Sequence, residues 1–70
     1  MQVFELTPTN GRKSFGDKAK VIVENGVAKL LSYSTIVAEY KIGEKEYKQN
    51  GEYSQTTNNH IKAFKNFYGI

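Results

Sequence analysis

The stretch YSQTTNNHIKAF, residues 53–64, places hydroxyl side chains and the only histidine of the chain just before an apolar run with helical spacing. Its candidate functional residues are Ser54, Thr56, Thr57 and His60. A hydroxyl nucleophile could use this histidine as its base, because residues three or four positions apart share one face of a helix. No acidic residue follows Glu52, so a group that would orient the histidine is missing locally. We therefore expect no enzymatic activity and no catalytic residue here.

Anion binding is the stronger functional interpretation of Ser54, Thr56, Thr57 and His60. The first turn of a helix leaves N–H groups unpaired, and these polar side chains would add donors for a phosphate or a carboxylate. The structural alternative is that the hydroxyls only satisfy the first turn, with Ser54 or Thr56 as the N-cap, worth about 1 kcal/mol. We favour the structural role, with anion capture as a secondary use.

The composition limits the remaining chemistry. One histidine, no cysteine and scattered carboxylates give no metal-ligand spacing, so we expect neither a metal ion nor a cofactor. The absence of cysteine suits a reducing cytoplasm, and no apolar run has the length of a membrane span. The sequence predicts a cytoplasmic protein that does not act in a membrane.

The elements that position these residues follow from turn signals. Asn25-Gly26 lies between KVIVE and VAKLL and suits a two-residue hairpin turn, which sets Val23 opposite Ala28 and Val21 opposite Leu30 on the core face. The other face carries Ile22, Val27 and Leu31 among charged residues, and we expect it to be only partly covered.

A second hairpin is predicted from the alternation in TIVAEYKI. We expect Ile36, Ala38, Tyr40 and Ile42 on one face and Thr35, Val37, Glu39 and Lys41 on the other. A two-residue type II′ turn at Gly43-Glu44 sets Tyr40 opposite Tyr47, Lys41 opposite Glu46 and Glu39 opposite Lys48. The two charged pairs have opposite signs, which favours this register.

These elements predict one α+β domain over residues 1–70. It is an antiparallel β-meander of about four strands with one C-terminal helix packed on one face. An N-terminal strand spans about Val3 to Leu6, residues 8–11 form a loop, and residues 14–17 form a bend or a short strand. The helix begins at Gln55 or Thr57 and stops at Gly69. A chain this short buries only about 60% of its unfolded surface, so a partner or a homodimer would add stability.

A basic excess of +3 favours acidic partners without naming one. It is concentrated between residues 12 and 20 and after residue 52. The predicted partner-binding residues are Arg12, Lys13, Lys20, Lys62 and Lys65. Lys62 and Lys65 lie three residues apart and should share one helix face.

Two runs of the sequence, LLSYSTIVAEY (residues 30–40) and GEYSQTTNNHIKAF (residues 51–64), resemble a family of short proteins encoded by phages, plasmids and other mobile elements of Gram-positive bacteria. The shared signature is SY-x-T-x-V followed by YS-x-TT-x-x-HI-x-x-F. Ser32, Tyr33, Thr35 and Val37 match its first part, and Tyr53, Ser54, Thr56, Thr57, His60, Ile61 and Phe64 match its second. The resemblance covers about residues 18–64. It implies a setting in a mobile genetic element inside a bacterial cell, but no activity.

Two functions of different class fit this setting. The first is a protein-binding inhibitor or modulator of a host or defence system, similar to the small non-enzymatic anti-CRISPR proteins. The second is a basic accessory module that binds DNA or RNA. For the first, the partner is a host or defence protein or a nucleoprotein complex. The small charge excess favours protein binding, with a host or defence protein as partner.

Overall fold

The sheet and the helix are described by a computed structural model over residues 1–6 and 18–70. The elements are β1 (Gln2–Glu5), β2 (Ala19–Glu24), β3 (Val27–Ser32), β4 (Thr35–Lys41), β5 (Glu46–Gln49) and α1 (Gln55–Tyr68). The strands form one antiparallel sheet in the order β1-β2-β3-β4-β5. The predicted α+β meander with a C-terminal helix is confirmed, with five described strands instead of about four. The loop expected at residues 8–11 and the bend or strand expected at 14–17 lie outside the described residues.

The β2–β3 hairpin matches its prediction in both turn and register. Asn25 and Gly26 have φ of 54° and 78°, the pair of left-handed conformations that a type I′ turn requires and that Asn-Gly adopts readily. Val23 lies opposite Ala28 and Val21 lies opposite Leu30. Alternation along the two strands therefore places these four side chains on the face that the helix covers.

The β4–β5 hairpin has the predicted register but a different turn. Tyr40 lies opposite Tyr47, Lys41 opposite Glu46 and Glu39 opposite Lys48. The last paired residues, Lys41 and Glu46, enclose a four-residue loop, and Lys45 has a φ of 55° while Gly43 has no positive φ. The predicted two-residue type II′ turn at Gly43-Glu44 is therefore wrong. A longer loop with one left-handed residue closes the same register.

A β-bulge in β4 changes which side chains face the core. Leu30 pairs with Ala38 and the next residue, Leu31, pairs with Ile36, so Val37 is an extra residue on β4. Val37 is buried, although we expected it on the opposite face from Ala38. Ile36, expected on the same face as Ala38, lies instead opposite Leu31. The predicted alternation of β4 is thus correct only from Ala38 to Lys41.

The core lies between the sheet and α1. Its buried apolar residues are Leu6, Ala19, Val21, Ala28, Leu30, Val37, Ala38, Tyr40, Ile61, Ala63 and Phe64. Partly buried aromatic rings extend it: the Phe4 ring lies 5.1 Å from the Phe67 ring, and the Tyr40 ring lies 5.2 Å from the Tyr68 ring. Such tilted aromatic pairs add to the free energy gained from burial and fix the helix across the sheet.

Both ends of α1 are capped. Ser54 has extended backbone angles, and its Oγ accepts the N–H of Thr57 at 3.4 Å, so Ser54 rather than Thr56 is the N-cap. At the other end Gly69 adopts φ of 69°, and the N–H of Ile70 donates to the carbonyl of Lys65. This left-handed glycine closes the last turn, and the predicted stop at Gly69 is confirmed.

Candidate functional site

A buried polar cluster joins the end of β3 to the first turns of α1. Ser32 Oγ lies 2.8 Å from His60 Nδ1 and 3.2 Å from Thr57 Oγ1, within hydrogen-bonding distance of both. Ser32 is 2% exposed and His60 is 1% exposed, and Thr57 is also buried. The cluster is held in place because Ser32 ends the core-facing row of β3 while Thr57 and His60 lie one helical turn apart.

The Ser32–His60 contact has the spacing of a nucleophile and its base. Both side chains are almost completely enclosed in the structure. Burial, and secondarily the positive charge of Lys18, lower the pKa of His60 below its ordinary value of 6.5. The imidazole is therefore neutral near pH 7, and the cluster acts as a hydrogen-bonded link between sheet and helix.

We expect the protein to lose stability as the pH falls below about 6.5. The pKa of His60 is lower in the folded protein than in the unfolded chain, so the unfolded chain takes up its proton first. The stability that neutral His60 contributes is complete above the unfolded pKa and decreases as the pH falls toward the folded pKa. Urea unfolding at about pH 7.5, 6.5 and 5.5 measures this slope. His60→Gln should flatten it, and a wild-type stability that stayed constant or rose over this range would contradict the assignment.

The four residues predicted for anion binding do not face one ligand. Thr57 and His60 point into the cluster with Ser32, whereas Ser54 and Thr56 are exposed at the helix start. Ser54 is occupied as the N-cap. Anion binding stays a prediction, and the two side chains available to it at the surface are those of Ser54 and Thr56.

Ser32 is the member of the cluster that sequence reasoning did not assign to the site. A signal was present, because Ala28, Leu30 and Ser32 alternate along β3 and so share its core face. A hydroxyl at the third of these positions needs a buried partner. The sequence alone could not identify His60 as this partner, because Ser32 and His60 are 28 residues apart.

Tyr33 covers the outside of the cluster in a strained turn. It has a φ of 58° and is 52% exposed, a conformation that a large side chain rarely adopts. Its N–H donates to the carbonyl of Lys18 at 2.8 Å, and its ring lies 5.7 Å from the His60 ring. The Lys18 ammonium lies 5.8 Å from the centre of the Tyr33 ring. These contacts with Lys18, the residue before β2, and with His60 on α1 hold the turn.

The three described members of the predicted partner-binding set, Lys20, Lys62 and Lys65, lie on two different surfaces. Lys20 lies on the face of the sheet away from α1, opposite Glu5 on one side and Leu31 on the other. Lys62 and Lys65 lie on α1, where Lys62 is exposed and Lys65 is partly buried. Arg12 and Lys13 lie outside the described residues. Partner contact by any of these five residues stays a prediction.

The side of the sheet away from α1, here called the outer face, carries a regular mixture of side chains. Its apolar residues are Val3, Ile22, Val27, Leu31 and Ile36, and its charged residues are Glu5, Lys20, Glu24, Lys29, Glu39, Lys41, Glu46 and Lys48. Four lysines and four glutamates cancel, so the described part of this face has no formal net charge. Val3 is 54% exposed, and Ile22, Val27, Leu31 and Ile36 are partly exposed.

The part of the chain that the structure describes has neither a membrane-spanning helix nor a metal-binding constellation. None of its helices is long and apolar enough to cross a membrane. It contains no group of three or more histidine, cysteine, aspartate or glutamate residues that could hold a metal ion.

Comparison with known proteins gives one match, at the level of the family. No curated protein and no solved structure matches the chain. The model of a family of unknown function, DUF8033, matches residues 4–69, which include all of the Ser32, Thr57 and His60 cluster and nearly all of the outer face. The chain belongs to the DUF8033 family.

Proposed function

We propose that the chain is a non-enzymatic binding module that contacts a protein through the outer face of its sheet. The observation that carries the proposal is the composition of that face, where apolar side chains lie among equal numbers of lysines and glutamates. Protein interfaces combine an apolar centre with a polar rim, and alternating charges set the register of the partner.

The same face is less suited to nucleic acid. Binding that neutralises several phosphates requires an excess of positive charge, and the described residues of the outer face have none. Its lysines also lie opposite glutamates across the strands, as Lys29 does with Glu39 and Lys20 does with Glu5. A phosphate approaching these lysines would meet a carboxylate at a neighbouring position. A DNA- or RNA-binding accessory module is therefore the second choice.

The buried cluster supports a role without turnover. Ser32 and His60 provide a nucleophile and a base by distance, yet both are used to link β3 to α1. In a domain this small, a polar cluster that is fully hydrogen-bonded contributes to a single, rigid arrangement of sheet and helix. Rigidity suits a binding module, because a preformed surface loses less entropy on association.

The resemblance to proteins of mobile elements gives the partner a biological setting. The partner in this proposal is a host or defence protein in the cytoplasm of a bacterial cell, which the chain inhibits or modulates as anti-CRISPR proteins do. A second copy of the chain is the other occupant that the outer face could accept, since a face with equal numbers of both charges can complement itself.

The experiment places a photo-crosslinking amino acid at Val3 on the outer face, and at Glu52, an exposed residue between β5 and α1, as the control position. Each protein is irradiated in extract from a Gram-positive host, with and without nuclease. We expect Val3 to yield a discrete protein adduct that survives nuclease and changes little with salt. Adducts that disappear after nuclease treatment would support the nucleic-acid module instead, and adducts of the chain with itself would identify a homodimer.

A pair of variants tests whether the outer face itself makes the contact. Ile22→Thr combined with Val3→Ser keeps the β-propensity of residue 22 and removes apolar surface from the outer face. The double variant should no longer retain the crosslinked partner when the protein is purified from the extract. Ile42→Ser removes an exposed apolar side chain from the β4–β5 loop and serves as the matched control. Equal retention by both proteins would contradict the assignment to this face.

A further inference from the structure

One exposed side of α1 carries a second surface with a different character. It consists of Asn58, Ile61, Lys62, Lys65, Asn66 and Ile70, here called the helix stripe, and these residues line a depression of about 440 Å³. Their spacing of three or four residues aligns them along one side of the helix. The stripe belongs to the element that covers the inner face of the sheet, so it is separate from the outer face.

The stripe is positive and rich in donors. Lys62 and Lys65 bring two ammonium groups, Asn58 and Asn66 bring two amides, and no acidic residue follows Glu52 in the sequence. This contrasts with the outer face, where a glutamate accompanies every lysine. The excess positive charge of the helix stripe favours an occupant with carboxylates or phosphates.

The orientation of Lys65 is partly set before any partner arrives. Its ammonium lies 5.1 Å from the centre of the Tyr47 ring on β5, a cation–π contact that restricts the long side chain. A lysine held in this way loses less conformational entropy when it pairs with a carboxylate.

One exposed isoleucine favours a peptide over a nucleic acid as the occupant. Ile70 is 40% exposed beside the two lysines, whereas Ile61 is 6% exposed and belongs to the core. An apolar side chain flanked by carboxylates would pair with both Ile70 and the lysines. A phosphate backbone would pair with the lysines and leave Ile70 exposed to water.

We propose that the helix stripe docks an acidic peptide segment that carries an apolar anchor residue. From Asn58 to its end at Tyr68 the helix extends about 15 Å, and a helical segment of about 12 residues spans this length. The two lysines pair with carboxylates of the segment, the asparagines donate to or accept from its polar groups, and the anchor packs on Ile70. This site is independent of the proposed contact through the outer face.

Fluorescence anisotropy with labelled peptides of about 12 residues tests the proposal. The probe is a glutamate-rich peptide with leucine at helical spacing, compared with the same peptide carrying serine in place of leucine and with a single-stranded oligonucleotide of similar charge. We expect the leucine peptide to bind most tightly. Lys62→Glu combined with Lys65→Glu should weaken it by about tenfold or more, which corresponds to about 1.4 kcal/mol.

The matched control combines Lys18→Glu with Lys45→Glu, two exposed lysines that belong to neither the helix stripe nor the outer face. It changes the net charge by the same amount and should leave peptide binding within about twofold of the wild type, the spread expected of a distant surface change. Circular dichroism and urea unfolding verify that each variant is folded. Equal weakening by both pairs, equal binding of the leucine and serine peptides, preference for the oligonucleotide, or no peptide binding would each overturn the proposal. Outer-face variants act on a different surface, so this test and the crosslinking test fail separately.

Discussion

Phe64→Ala should remove much or all of the free energy that stabilises the folded protein. Phe64 is 0% exposed, and its ring lies 5.3 Å from that of Tyr68 and 6.3 Å from that of Tyr47. Replacing a buried phenylalanine with alanine costs about 3–5 kcal/mol, because it removes apolar burial and leaves a cavity. A domain of this size has a total stability of about 4–10 kcal/mol. The substitution therefore removes much or all of this stability. Urea unfolding followed by circular dichroism measures the loss.

Phe67 provides the control for this prediction. It lies three residues further along α1 and is 58% exposed, with its ring 5.1 Å from that of Phe4. Phe67→Ala should cost about 1 kcal/mol, the worth of an aromatic pair. Phe64→Leu, which retains most of the buried volume, should cost about 1.5 kcal/mol and remain folded. If Phe64→Ala and Phe67→Ala were equally stable, the helix would not pack on the sheet as described.

The hairpins show what local sequence can predict. Asn25-Gly26 combined turn residues that favour positive φ with alternation on both sides, and these signals agreed on one register. In the β4–β5 hairpin, the charged pairs and Tyr40 opposite Tyr47 identified the register without identifying the loop. Register depends on which residues pair, and several loops can connect the same pairs. The prediction placed the turn at Gly43-Glu44, whereas the left-handed residue of the loop is Lys45.

The bulge at Val37 shows where alternation fails. A period of two predicts that Ile36 and Ala38 share a face, and one extra residue in β4 breaks the period. Nothing in TIVAEYKI marks this position, because valine is equally suited to either face of a strand. The outcome is decided by packing against β3 and α1, which are distant in sequence. The same insertion places Ile36 beside Leu31 and thereby enlarges the apolar part of the outer face.

At the start of α1, the sequence predicted some features of the site and left others open. Ser54 was one of two candidate caps, and the choice between Ser54 and Thr56 depended on where the first turn packs on the sheet. The sequence shows that Thr57 and His60 are polar, but it does not show that their side chains point into the protein. Burial of the two side chains requires a polar partner on β3, and Ser32 supplies it.

Removal of the Ser32 hydroxyl should be the most damaging change of a polar group in this cluster. Ser32→Ala deletes the hydrogen bonds to His60 Nδ1 and Thr57 Oγ1 while changing the side-chain volume little. Loss of hydrogen bonds to buried polar groups costs about 1–3 kcal/mol, since these groups gave up hydration on folding. Ser34→Ala, in the exposed turn two residues later, should change stability by less than about 0.5 kcal/mol.

A double-mutant cycle separates this link from general damage to β3. Ser32→Ala, Thr57→Val and the double variant are compared by urea unfolding, with Thr57→Val chosen because it removes the hydroxyl and keeps a branched side chain of similar volume. If the two hydroxyls satisfy each other, the double variant loses less stability than the two single variants together, by about 0.5 kcal/mol or more. Strict additivity would show that each residue acts alone. A coupling between β3 and α1 would instead explain how a domain of 70 residues keeps its helix docked, and so keeps both the outer face and the helix stripe in fixed geometry for binding.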